Sequence, residues 1–137
     1  MGERRDTSGS AGGGEIRTFV EKAPVDPARE RFDELLAAHF SPAEVEGLRG
    51  MPARSLAGRV ALKRAVLSAL GDLDLSPQGA CERDVELGRG TAGAPIVVLL
   101  PLPEEIEPEV RARLHVSISH TRKNAYGLVA VAGHARP

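Results

Sequence analysis

Apolar and polar positions alternate most regularly near the end of the chain, where Leu114, Val116 and Ile118 interleave with His115, Ser117 and Ser119. A period of two puts the apolar side chains on one sheet face and the polar ones on the other, which predicts a half-buried strand. The polar run His120 to Asn124 interrupts the alternation, and Ala125 to Ala132 is a second β-prone run ending at Gly133. The pair predicts a hairpin with a cationic turn, and chemistry is expected at that turn.

A helical period marks Pro52 to Leu70, where Leu56, Val60, Leu67 and Leu70 fall on one face. Lys63 stands in the middle of that stripe, where packing alone asks for leucine, and Arg59 lies one turn before it. Two cations at i and i+4 repel mildly unless an anion lies between them, a role that suits a phosphate. The plainer reading is that Lys63 runs its methylene stem along the core and puts its ammonium in water.

Weaker patterns fill the remainder. Glu15 to Val25 alternates loosely and ends beside a proline, predicting a first strand. Asp26-Pro27 predicts a helix start with Asp26 as N-cap and Pro27 at the first helical position, followed by Phe32, Leu35, Leu36 and His39 or Phe40 on one face. Ser41-Pro42-Ala43-Glu44 reads as a capping box, opening a short helix that stops near Gly47 to Gly50. Glu82 to Leu87 and Pro95 to Leu100 read as short strands joined by a glycine-rich turn, and Pro103 to Leu114 as short helical pieces. Together these elements predict an α+β domain, a small, largely antiparallel sheet with the helix 52–70 packed on one face.

Composition narrows the function classes. The chain has 137 residues, enough for one modest core, and residues 15–137 are expected to form a single domain. Residues 1–14, rich in Gly and Ser, are expected as a disordered tail. Eighteen basic against nineteen acidic residues leave a net charge of -1, so no global field recruits nucleic acid or an anionic membrane. The single cysteine, Cys81, excludes an internal disulfide and a thiolate zinc cluster, and no apolar run is long enough to span a bilayer. A cytoplasmic protein is expected. His115 and His120 are poorly spaced to share a metal ion, and Ser117 or Ser119 with His120 makes a poor nucleophile pair, since adjacent strand residues face opposite ways.

Four ordered motifs resemble one family. His115 to Thr121 (HVSISHT) resembles the C-terminal signature of the holo-acyl-carrier-protein synthases, the small phosphopantetheinyl transferases. Ser55 to Gly71 resembles the family helix carrying Phe-Leu-Ala-x-Arg-Phe-Ala-x-Lys-Glu-Ala, Glu82 to Leu87 its Arg-Asp-Ile-Glu strand, and Gly93-Ala94-Pro95 the Gly-x-Pro before the next strand. The resemblance implies transfer of the phosphopantetheine arm of coenzyme A to a serine of an acyl carrier protein, commonly by a trimer. It also implies a magnesium ion held against the pyrophosphate by a helix glutamate and a first-strand aspartate. Carried onto this sequence, it assigns coenzyme A binding to Arg59, Lys63, Gly93, Pro95, Ser119, His120 and Thr121, catalysis to Lys63 with Arg64 and Asp26, and a metal contact to Asp26.

This chain departs from that pattern at charged positions. Arg64 stands where the family has its metal-binding glutamate, and Ser68 where it has a second lysine. Arginine stays protonated and offers no lone pair, so the metal site lacks its helix side. The first-strand acid falls at Asp26, or an alternative alignment puts Phe19 or Glu21 in its place. The helix expected to meet an acidic carrier mixes Arg29 and Arg31 with Glu30, Asp33 and Glu34. Two readings follow. One is a transferase in which Arg64 supplies some of the missing positive charge; the other is a non-catalytic pseudoenzyme or scaffold subunit that binds a carrier protein or an active relative.

Overall fold

A computed structural model describes residues 3–7, 16–75, 79–89, 95–100 and 102–133. In chain order the elements are β1 (Glu3–Thr7), β2 (Ile16–Pro24), α1 (Val25–Glu30), α2 (Phe32–His39), α3 (Pro42–Leu48), α4 (Ala53–Asp72), a 3-10 turn (Glu82–Asp84), β3 (Val85–Arg89), β4 (Pro95–Leu99), α5 (Glu107–Ala112), β5 (Leu114–His120) and β6 (Asn124–Ala132). The strands form a four-stranded antiparallel sheet in the order β1-β2-β6-β5 and a separate β3-β4 ribbon. This is the α+β class expected, with its strands divided between two sheets.

The long helix α4 lies across one face of the larger sheet, and one glycine explains how closely. A Cβ at Gly127, on β6, would overlap the backbone of Ala61 and Leu62, so only a residue without a side chain lets helix and strand approach this far. Two apolar clusters flank α4. Phe19, Leu62, Val66, Leu70, Val85, Leu99 and Val129 belong to one; Val25, Leu36, Phe40, Leu56, Val60 and Ala125 belong to the other.

Four local expectations are corrected. Helix α1 starts at Val25 with Pro24 as its cap, so Asp26 is a first-turn residue whose Oδ1 accepts from Arg29 Nη1 at 2.8 Å, not an N-cap. The predicted single helix is broken at Arg31, whose φ of -132° and ψ of 49° separate α1 from α2. The strand expected from Glu82 begins only at Val85, because the Cys81 N–H is taken by the Asp84 carboxylate at 2.9 Å and closes a 3-10 turn first. Residues 3–7, read as part of a disordered tail, run as β1 along β2, a pairing made by backbone groups that needs no apolar composition. The Gly93-Ala94-Pro95 motif falls largely outside the described residues, with Pro95 opening β4 opposite Arg89.

Candidate functional site

The β5-β6 hairpin folds as its alternation predicts, and its turn is fixed by one hydroxyl. Thr121 Oγ1 accepts from the N–H groups of Lys123 at 3.3 Å and Asn124 at 3.1 Å, while the Thr121 N–H donates to Asn124 O at 2.8 Å. Thr121 is therefore a turn-forming side chain. The turn is also tied to the start of α1, since the Val25 N–H donates to Lys123 O at 2.9 Å. Ser119 and His120 end β5 and are both exposed. His120 pairs with Ala125 and Ala125 with Ala23, which places His120 two strands, roughly 10 Å, from the end of β2.

Helix α4 offers its cations to two different environments. Consecutive helical residues project about 100° apart, so Lys63 and Arg64 leave the helix in different directions. Lys63 is 0% exposed, and its ammonium donates to Glu44 Oε1 at 2.6 Å, Val85 O at 2.6 Å and Glu82 O at 3.1 Å, with the Phe40 ring centroid 4.5 Å away. Burial pulls its pKa below the ordinary 10.5, against the opposing pull of Glu44, Glu86 and Glu82. Glu44 is the hub of this network: Oε1 also accepts from the Ser41 N–H at 2.9 Å, and Oε2 from the Leu87 N–H at 2.8 Å. Ser41 Oγ in turn donates to Glu86 Oε2 at 2.7 Å.

The anion that meets Lys63 is thus Glu44, a group of the protein itself. Among the described residues none of the hydrogen-bond partners of Lys63 comes from the hairpin, so its ammonium is directed to Glu44, Glu82 and Val85 and not to His120. The ammonium also does not reach water: the turn Glu82–Asp84 and strand β3 close over it. Arg59 lies on the same side of α4, lining a cleft of about 490 Å³ with Glu44, Leu48, Glu86, Leu87 and Val98.

Arg64 faces a second cavity, of about 200 Å³, at the hairpin end of the sheet. Ala23, Pro24, Pro27, Leu35, Ala57 and Val60 line it together with Arg31, His39 and Arg64. Arg64 Nε donates to Glu82 Oε2 at 3.2 Å, and His39 Nδ1 lies 3.4 Å from Glu82 Oε1, within ion-pair range but without hydrogen-bond geometry. Burial favours protonation of Glu82, but a backbone hydrogen bond, Arg64 and His39 outweigh it and hold the carboxyl below the ordinary 4.5. Ala23 is the end of β2 whose register leads across to Ala125 and His120, so Arg64 and the hairpin turn occupy the same edge of the molecule.

The candidates for the first-strand acid separate clearly. Phe19 is buried in the core, Glu21 accepts from Ser68 Oγ at 3.1 Å, and Asp26 is exposed and paired with Arg29. None of the three is among the residues lining the Arg64 cavity.

No protein-family model matches the chain. Among curated proteins it is similar to a holo-(acyl-carrier-protein) synthase of Clavibacter michiganensis subsp. michiganensis, 35% identical over 117 residues that cover 85% of this chain and 92% of that protein. The chain belongs to the holo-acyl-carrier-protein synthase family. A synthase of Moorella thermoacetica is 34% identical over 117 residues, covering 82% of this chain and 88% of that protein. Among solved structures, a holo-(acyl-carrier-protein) synthase from Bacillus anthracis in complex with CoA (3',5'-ADP) superposes with a TM-score of 0.64 at 18% identity, over 85% of this chain and 96% of that one. The fold of this chain is therefore that of a holo-acyl-carrier-protein synthase.

Within this family member, sequence reasoning singled out Arg64 but not its neighbours. Arg31, His39 and Glu82 come from three other segments, and only a long-range contact map brings them to α4. Glu44 was legible as a capping residue, and the box forms as expected, but its second bond to Lys63 spans 19 positions and leaves no local trace.

Proposed function

We propose that this chain binds coenzyme A and transfers its phosphopantetheine arm to a serine hydroxyl of an acyl carrier protein. The observation that carries this reading is the identity of about one residue in three with holo-acyl-carrier-protein synthases across most of both chains. In the proposed step the carrier serine oxygen bonds to the phosphorus bearing the pantetheine arm. The bridging bond of the pyrophosphate breaks, the serine proton is released, and 3',5'-ADP leaves. Charge building on the leaving phosphate needs fixed positive groups nearby. Arg64, Ser119 and His120, at one edge of the molecule, are proposed to serve the ligand there, with Arg59, Gly93 and Pro95 as further contacts. Asp26, committed to Arg29 at the surface, is proposed for neither metal nor proton transfer.

The partner is an acyl carrier protein of fatty-acid or polyketide synthesis in the cytoplasm. No described helix is long and apolar enough to cross a membrane, and Cys81 is exposed as a free thiol. Self-assembly belongs to the same proposal. The sheet face away from α4 carries Ile16, 50% exposed, with half-buried Leu128 and Ala130, a surface a second copy would cover. Incubation of the protein with coenzyme A and a carrier protein of the same organism, read by mass spectrometry, is expected to show the carrier gaining one phosphopantetheine. An unchanged carrier at high enzyme concentration defeats the catalytic reading.

A second reading has its own observation. Arg64 replaces a carboxylate and Lys63 is wholly occupied by Glu44 and two carbonyls, which suits a non-catalytic subunit that binds coenzyme A, a carrier or an active relative. An unmodified carrier that nonetheless co-elutes with this chain is its expected signature.

A further inference from the structure

We propose that the Arg64 cavity is a metal-independent anion site that takes the pyrophosphate of the substrate on arginine alone. The inference rests on the reading of the chain as a coenzyme A-binding protein. A magnesium ion, implied by the family, does not fit the donors present. Magnesium asks for carboxylate or other oxygen ligands in octahedral array. The side chains lining this cavity are apolar apart from Arg31, His39 and Arg64, and the nearest carboxylate, Glu82, is committed to Arg64 and His39. Among the described residues no group of three or more His, Cys, Asp or Glu is arranged to hold a metal ion.

What does fit is an anion. A guanidinium carries five N–H donors in a rigid fork, and Glu82 engages only Nε of Arg64, leaving its terminal nitrogens without a hydrogen bond among the described residues. Arg31 stands at the break between α1 and α2, with its nearest carboxylate, Glu34, 3.8 Å away and 71% exposed, so that pair competes weakly for it. Glu82 cancels one charge, and the two arginines leave the cavity net cationic. The apolar remainder of the lining, Ala23, Pro24, Leu35 and Val60 among it, screens the cations less than water does and so strengthens their hold on an anion. At about 200 Å³ the cavity lies below the roughly 300 Å³ at which pockets for drug-sized ligands begin, and is of a size for a phosphate or pyrophosphate group. Its position beside the hairpin turn leaves the remainder of a longer ligand free to run along the same edge.

Calorimetric titration with inorganic pyrophosphate and, separately, with coenzyme A, each in EDTA and then in excess magnesium, tests the site. Both ligands are expected to bind in EDTA, with affinity unchanged or weaker when magnesium sequesters the pyrophosphate. Arg64→Met is expected to weaken both by about tenfold to a hundredfold, the range a lost charge-assisted hydrogen bond carries, Arg64→Lys by less, and Arg31→Ala by an intermediate amount. Circular dichroism checks that each variant is folded. Coenzyme A binding that appears only with magnesium, or that Arg64→Met and Arg31→Ala leave intact, overturns the site while leaving the functional reading standing. Arg64-dependent binding of pyrophosphate without any binding of coenzyme A sustains the site and overturns the functional reading.

Discussion

Lys63 and Arg64 are adjacent on α4 and obey opposite physical rules. The lysine is fully enclosed, its three donors matched by Glu44 and the carbonyls of Glu82 and Val85, so its charge serves to clamp α3, α4 and β3 together. The side chain of the arginine is 38% exposed, spends one donor on Glu82, and lines a cavity. Charge that is buried and satisfied belongs to the fold; charge that is half open and partly satisfied is available to a ligand. The comparison shows that a cation in an apolar helical stripe does not by itself mark a binding site. The direction in which the helix turns it decides.

The largest expected effect comes from breaking the enclosed side. Lys63→Met leaves the Glu44 carboxylate buried without its counter-ion and is expected to cost about 3–5 kcal/mol of stability, read by denaturant unfolding. Adding Glu44→Gln to that background removes the orphaned charge while keeping an acceptor for the Leu87 N–H. The double variant is therefore expected to be less destabilised than the sum of the single variants. Strict additivity would mean that the ammonium and the carboxylate do not depend on one another, and the clamp would not exist.

A smaller loss is expected at the edge of the same network. Ser41 Oγ accepts from the Glu44 N–H at 3.3 Å and donates to Glu86 at 2.7 Å, so Ser41→Ala removes a cap and leaves a carboxylate less well held. About 1–2 kcal/mol is expected, by the same unfolding measurement. Arg64→Met should move stability by less than about 1 kcal/mol, since its one ion pair is partly exposed and solvent-screened. A loss as large as that of Lys63→Met would place Arg64 with the fold and remove the contrast.

What could be read beforehand follows from how local each signal is. The β5-β6 alternation, the α4 stripe and the Ser41-Glu44 box depend on residues a few positions apart, and the structure carries all three. Lys63 in the α4 stripe signalled an unusual demand for charge, but its partners Glu44 and Glu82 are 19 positions away on either side and share no pattern with it. The break at Arg31 has no glycine or proline at the joint to announce it. The Glu82 strand start failed because a single local bond, from the Cys81 N–H to Asp84, outcompetes a ladder that needs a distant partner. The Arg64 cavity combines both difficulties, since α1, α2 and the turn at Glu82 must all be placed before Arg31, His39 and Glu82 meet α4.

The least effect, and the sharpest for the open side, is a pH dependence at Glu82. Its carboxyl titrates below the ordinary 4.5 in the folded chain, so the unfolded chain takes up the proton first as acid is added. The stabilisation is complete above pH 4.5 and is lost as the pH falls through the depressed folded value. Glu82→Gln, which cannot titrate, is expected to lose this component of the acid transition. Arg64→Met, lacking one cause of the shift, should show a shallower decline than the wild type over the same range. If both variants follow the wild-type stability curve through the acid range, Glu82 is not held ionised by Arg64. The Arg64-Glu82 pair would then add nothing to acid stability, and the carboxylate would be held by its backbone hydrogen bond instead.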